Sequence, residues 1–314
     1  MSYPFKTVPV IKNYIWGGRK LAEVYGRKSK DPVLAESWEL SVHRDGPSRI
    51  AGGDFDGRLL SEVLAEHPEF LGARTELPIL VKLIDSADNL SVQVHPDDAY
   101  ARAHEGDNGK TEMWYILDAE PGCGIYCGLK RALTREELAA RVADQTIEEA
   151  LNFIPVQKGD CYLIEAGTLH AIGRGLTLCE IQENSNVTYR VYDYGRVGKD
   201  GKPRELHVQK ALEVASLSAF SDPTGKYPPQ QTEWGTLTLL VDCPYFKTSK
   251  AVTSDEAFLT APEESFLALH ILAGEGVLAS PELSQPFKKG DTFFLPAGVG
   301  FVLPAGTEAL LITA

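Results

Sequence analysis

A mainly β chain built as two small barrels, with short helices inserted, is the fold class this sequence predicts, and three observations carry the prediction. The first is an internal repeat. Lys158-Gly159-Asp160-Cys161-Tyr162-Leu163-Ile164-Glu165-Ala166-Gly167-Thr168-Leu169-His170 lines up with Lys289-Gly290-Asp291-Thr292-Phe293-Phe294-Leu295-Pro296-Ala297-Gly298-Val299-Gly300-Phe301, and the identical positions are all turn-forming or structurally special. Both copies read as turn, apolar strand, Ala-Gly turn and inward residue, His170 in the first and Phe301 in the second. The second observation is a shorter echo, Ile116 to Glu120 against Ile271 to Glu275, which sets Leu267 where the first copy has Glu112. Chemistry is thereby kept in one copy and replaced by apolar filling in the other, so the second barrel is expected to lack metal ligands.

The third observation is a series of short β-rich segments bounded by Gly, Pro and Asp: Pro78 to Ile84, Leu90 to Val94, Glu112 to Leu117, Gly124 to Cys127, Asp160 to Ile164, Leu176 to Gln182 and Thr188 to Tyr192. Helices interrupt them. Leu60 to Glu66 and Thr134 to Val142 have helical apolar spacing, and Thr134 with Glu137 makes a capping box. Thr146 to Asn152 and Glu205 to Ser218 also read as helical. The segment Ser221-Asp222-Pro223-Thr224-Gly225-Lys226-Tyr227-Pro228-Pro229 is dense in turn formers and without periodicity, which makes it the expected linker. The division predicted is a catalytic domain over 1–225, with a helical insertion near 131–154, and a degenerate barrel over 226–314. Asp200-Gly201 reads as a tight turn, and the spacing of a phosphate loop is absent.

Composition narrows the function. At 314 residues and 43% hydrophobic the chain can bury the cores of two domains. No run of about 18 apolar residues exists to span a bilayer, and Met1-Ser2-Tyr3-Pro4-Phe5-Lys6 lacks the layout of a secretion signal, so a cytoplasmic location is expected. A net charge of −13 without any Lys/Arg-rich run opposes nucleic acid and anionic membrane as partners. A small anionic substrate stays open, because a few local cations can override the global sign. Five scattered cysteines, Cys123, Cys127, Cys161, Cys179 and Cys243, suit reduced thiols rather than a disulfide framework.

Within the first copy a metal constellation emerges. Gln93-Val94-His95 ends an apolar strand, and residues two apart share a face, so Gln93 and His95 both look inward. Glu112 opens the next strand and His170 follows the Ala166-Gly167 turn. Two imidazoles, a carboxylate and an amide oxygen suit a divalent ion of the zinc, iron or manganese type with positions left for water or substrate. Singly, His95 beside Pro96 reads equally well as a turn residue and His170 as a core histidine. Their joint occurrence with Glu112, and the loss of equivalents in the repeat, favours metal. His43, His67, His104, His207 and His270 show no such pattern and are expected to be structural or surface groups. Two His and one carboxylate also describe non-haem iron oxygenases, and a sugar-binding barrel without turnover is a further alternative.

The segments Gln93-Val94-His95-Pro96-Asp97, Gly109-Lys110-Thr111-Glu112-Met113-Trp114-Tyr115, Gly167-Thr168-Leu169-His170-Ala171-Ile172-Gly173 and Asn184-Ser185-Asn186-Val187-Thr188-Tyr189-Arg190-Val191-Tyr192-Asp193 closely resemble type I mannose-6-phosphate isomerase in its short bacterial form. Trp16-Gly17-Gly18 and Glu36-Ser37-Trp38-Glu39-Leu40 are similar to that family's early motifs. The resemblance covers roughly positions 3 to 215 and is mainly architectural beyond. It implies that the two barrels are cupin (jelly-roll) barrels, with one zinc held by Gln93, His95, Glu112 and His170, and an active-site arginine at Arg190. The activity it implies is interconversion of mannose 6-phosphate and fructose 6-phosphate, so the expected partner is a small phosphorylated sugar.

Such a reaction moves a proton between C1 and C2 through an enediol and must hold negative charge on oxygen. Arg190 is the expected charge stabiliser, its bland alternative being a salt bridge to Asp193 or another surface carboxylate. Lys110, two positions before Glu112, shares that strand's inward face and could bind phosphate or shuttle protons, although by composition alone it is a solvated turn lysine. Glu180, on an apolar strand, is a candidate acid or base.

Overall fold

The computed structural model describes residues 2–198 and 201–314, and the chain is mainly β with a few short helices. It divides into two compact units. One takes the chain up to Val10, Trp38–Lys82 and Thr224–Ala314; the other takes Ile11–Ser37 and Leu83–Pro223. The passage between residues 223 and 224 falls within the expected linker, but the expected 1–225 block is otherwise not one unit. Phe5–Val8 is a strand of the carboxy-terminal unit, with Phe5 opposite Phe294 and Lys6 opposite Ala51. Its main-chain hydrogen bonds are satisfied on both edges there, a pairing that sequence order hides.

In the carboxy-terminal unit an eight-stranded sheet carries Leu267–Ala273 between Glu308–Thr313 and Thr292–Leu295. Alternate residues Leu267, Leu269 and Ile271 enter a core with Phe293, Leu295, Phe301 and Leu303. In the other unit, a five-stranded sheet runs Tyr189–Tyr192, Val92–Val94, His170–Ile172, Gly124–Leu129, Leu151–Pro155. A second sheet sets Glu112–Ala119 between Cys161–Ile164 and Leu176–Glu183. Val92, Val94, Ala171, Tyr189 and Val191 pack with Leu138, Val142 and Ala211 of the short helices. Period two therefore turns Gln93, His170 and Arg190 to the opposite face.

The repeat is realised bond by bond. Gly159 and Gly290 hold φ of 95° and 86°, and Gly167 and Gly298 hold 86° and 73°, the left-handed region that both turns require. The Asp160 carboxylate accepts from the Gln157 amide, as Asp291 does from Lys288. Ile116 N–H donates to the Asp160 carbonyl and its carbonyl accepts from Gly159; Ile271 does the same with Asp291 and Gly290. Ile164 stands opposite Glu112 and His170 opposite Gln93; at the matching places Leu295 stands opposite Leu267 and Phe301 opposite Leu259.

Helix Leu60–Glu66 matches its expected span. Arg135–Ala143 is capped by Thr134, whose hydroxyl accepts from the Glu137 amide while the Glu137 carboxylate accepts from the Thr134 amide. The helix expected over Thr146 to Asn152 stops at Ala150, because Leu151 joins a strand opposite Leu129. The inserted segment near 131–154 accordingly holds two short helices, Arg135–Ala143 and Ile147–Ala150, and a strand. Glu205 to Ser218 contributes only Val208–Val214, and residues 205–207 lie outside the helix. A helix at Asp98–His104, started by Asp97 accepting from Tyr100 N–H, was not expected. The turn expected at Asp200-Gly201 has its first residue outside the described residues. Among the described residues, no helix is long and apolar enough to cross a membrane.

Candidate metal centre and active site

Strand register assembles the site. Arg190, Gln93, His170 and Cys127 lie side by side across four neighbouring strands. Directly opposed residues on one face are near neighbours, so a cation, an amide and an imidazole converge in one row. Glu112 comes from the other sheet, opposite Gln182 and Ile164. His95 follows its strand by one residue, and its carbonyl accepts from Gly167 N–H at 2.8 Å, which ties it to the turn before His170.

His95, Glu112 and His170 offer ligand atoms within 4.8 Å of one another and are all buried. His95 Nδ1 lies 2.8 Å from the Val187 carbonyl and His170 Nδ1 lies 2.8 Å from the Thr168 carbonyl. A carbonyl only accepts, so both Nδ1 atoms carry hydrogen and both Nε2 atoms present lone pairs. Those lone pairs face Glu112 at 3.4 Å each, His95 toward Oε2 and His170 toward Oε1. Burial, then the nearby Lys110 charge, pushes the His95 imidazole down to about 3, and burial lowers His170 too. Burial works to raise Glu112, but Lys110, His95 and His170 outweigh it and hold the carboxyl well below its usual range. Two neutral nitrogens thus point at an anion. His95 Nε2 and both Glu112 oxygens lack a directed hydrogen bond among the described residues. Buried polar atoms left this way are costly, and a divalent cation is the group that satisfies all of them, so the donor set fits the expected ion. Gln93 stands beside it, Nε2 at 3.3 Å from His170 Nε2.

Lys110 is buried, not a solvated turn lysine: Nζ lies 3.0 Å from Glu112 Oε2 and 3.9 Å from Glu180 Oε1. Glu180 is buried opposite Trp114, whose indole N–H donates to its Oε2 at 3.0 Å. The Trp114 ring meets His170 edge-on at 5.5 Å. Arg190 is half-buried, and its Nε donates to Ser91 Oγ at 3.2 Å and its Nη1 to the Glu205 carbonyl at 2.8 Å. The salt bridge considered for it does not form: Asp193 is taken by Arg196 and Arg204.

All seven expected site residues therefore lie in one unit, with direct contacts linking Gln93, His95, Glu112, His170, Lys110 and Glu180. Sequence reasoning missed Ser91, the carbonyls of Val187 and Thr168, and Glu183, whose carboxylate accepts from Thr111 N–H at 2.6 Å next to Glu112. Carbonyls have no side-chain signature to find. Trp16-Gly17-Gly18 serves the fold: a Cβ on Gly18 would come within 2.3 Å of Asp85 Oδ2, which accepts from Lys20 N–H at 2.7 Å.

Comparison with known proteins agrees with this frame. The profile "Phosphomannose isomerase type I, catalytic domain" matches residues 5–125, and "Mannose-6-phosphate isomerase, cupin domain" matches 236–312. Fold and site define a cupin-type isomerase. The chain is 39% identical to mannose-6-phosphate isomerase ManA of Bacillus subtilis over 96% of both chains. The crystal structure of mannose 6-phosphate isomerase from Bacillus subtilis superposes with a TM-score of 0.92 at 36% identity, covering 100% of each chain. A structure of mannose 6-phosphate isomerase bound with zinc and yttrium shares the fold at TM-score 0.76 and 18% identity, over 98% of each chain. The chain belongs to the type I mannose-6-phosphate isomerase family and is an isomerase, which sets aside the oxygenase and non-catalytic alternatives.

Proposed function

We propose that this isomerase interconverts mannose 6-phosphate and fructose 6-phosphate through an enediol, with one zinc held by Gln93, His95, Glu112 and His170. The observation that carries the reading is the pair of lone-pair-bearing imidazole nitrogens aimed at one buried carboxylate. Zinc in a homologous fold supports the choice of metal. When bound, the ion supplies Lewis-acid polarisation of a sugar oxygen.

The chain's own groups do the rest. In the forward direction the C2 proton of the open-chain aldose leaves, its electron pair forms a C1–C2 double bond, and negative charge gathers on O1. O1 takes up a proton as O2 gives one up, and return of the carbon-bound proton to C1 while the O2 electron pair forms the C2 carbonyl gives the ketose. Lys110 Nζ and Glu180 Oε1, 3.9 Å apart, carry that proton between them, and Trp114 fixes the other oxygen of Glu180. Arg190 stands in the row that holds Gln93 and His170, and its charge stabilises the enediolate. The chain forms two barrels, the carboxy-terminal one without metal, since Leu259, Leu267 and Phe301 stand where the first barrel has its ligands and their row. A cytoplasmic setting accords with five free cysteines.

The test is a coupled assay for fructose 6-phosphate formed from mannose 6-phosphate, before chelation, after it, and with zinc restored. Activity should vanish and return; turnover that survives complete metal removal would overturn the role of the ion.

A further inference from the structure

Arg190 is held without being neutralised. Its guanidinium is oriented by a hydroxyl and a carbonyl, Ser91 Oγ and Glu205 O. Its peptide is clasped by the same segment that supplies the carbonyl: His207 N–H donates to the Arg190 carbonyl at 2.7 Å, and Arg190 N–H donates to His207 Nδ1 at 3.3 Å. Residues 205–207 therefore grip Arg190 at three points. Just before them, Arg204 is fixed to the buried Asp193, with Nε to Oδ2 at 2.8 Å and Nη2 to Oδ1 at 2.6 Å. Arg196 donates to the same carboxylate at 2.6 Å. Asp193 is three residues from Arg190 and is the anion best placed to quench it, yet its oxygens are occupied by the two other guanidiniums.

We infer that Arg204 is a positioning residue for Arg190: by binding Asp193 it anchors the 205–207 segment that orients the Arg190 guanidinium, and it withdraws from Arg190 the carboxylate that would otherwise neutralise it. This rests on the charge-stabilising role proposed for Arg190. Arg196 is shared between Asp193 and Asp88, and the Glu205 carboxylate turns to His207 at 3.9 Å rather than to Arg190.

The experiment compares Arg190→Ala, Arg204→Ala, Arg204→Lys and the double variant Arg204→Ala/Asp193→Asn in zinc-loaded enzyme, reading kcat, KM and bound zinc. Arg204→Ala should lower kcat by about 10²-fold, the scale of a misplaced catalytic group, with zinc content unchanged. Removing the released charge in the double variant should restore kcat by about tenfold, a coupling that a purely structural role would not produce. Arg204→Lys, which keeps the charge but loses the fork, should fall between wild type and Arg204→Ala. A double variant as slow as Arg204→Ala, or an Arg204→Ala enzyme with normal kcat, overturns the inference. If Arg204→Ala does not fold, Arg204→Lys decides: wild-type kcat in that variant, or lost zinc, counts against it. Normal kcat in Arg190→Ala would instead bring down the role of Arg190 itself.

Discussion

His170→Ala removes an imidazole whose Nε2 is aimed at Glu112 from 3.4 Å, and with it both zinc content and turnover should be lost, as elemental analysis and the coupled assay will read. Arg190→Ala should retain zinc while kcat falls by about 10²-fold or more, the usual cost of removing a group that meets developing charge. A third residue sets a pH dependence. Burial, with Asp98 nearby and against the pull of the Thr111 amide, raises the Glu183 carboxyl from 4.5 to about 7. The folded protein then holds a proton that the unfolded chain releases between those values. The stabilisation is full below pH 4.5 and lost as pH rises through 7, so denaturant unfolding should show a contribution on the order of 2 kcal/mol greater at pH 5 than at pH 8. Glu183→Gln, which mimics the protonated form, should abolish that difference. Glu112 and His170 were singled out in the sequence because the repeat replaces them with Leu267 and Phe301, His95 because it shares a strand face with Gln93, and the inward facing of Lys110 followed from its two-residue offset. Glu183 was not legible, since its proton depends on burial and on the nearness of Asp98, both supplied only by folding.

Helix and strand boundaries followed local chemistry where local chemistry was decisive. The capping box at Thr134 and Glu137 formed as its spacing dictates, and Thr134→Ala should cost about 1 kcal/mol in thermal unfolding with activity retained. Leu151 shows the opposite case. It continues a helical pattern from Thr146, but pairing opposite Leu129 satisfies its backbone and buries it fully. Tertiary contact overrides propensity there. Glu205 to His207 likewise left the helical pattern to bind Arg190. The Asp98–His104 helix went unseen although Asp97 is a good capping residue, because only Ala101 is buried along it and no apolar period marks it.

At the level of the whole chain, the repeat predicts a metal count. With Leu259, Leu267 and Phe301 at the ligand positions of the second copy, elemental analysis should find one zinc per chain, and a second equivalent would refute that reading. The duplication was legible because turn glycines and aspartates must stay to keep their backbone geometry, whereas the membership of each unit was not. Phe5–Val8 joins a strand almost three hundred residues away, and nothing local announces such a pairing. The two copies also differ in what they enclose. The bond from Ile116 to Asp160 closes over residues 117–159, helix Arg135–Ala143 included, while the bond from Ile271 to Asp291 closes over 272–290. Because a doubling of loop length adds only about 0.6 kcal/mol of closure entropy, register survives either span. The stretch between those paired strands is thus where this architecture can grow by accretion, accepting spliced-in sequence without renegotiating the geometry of its donors.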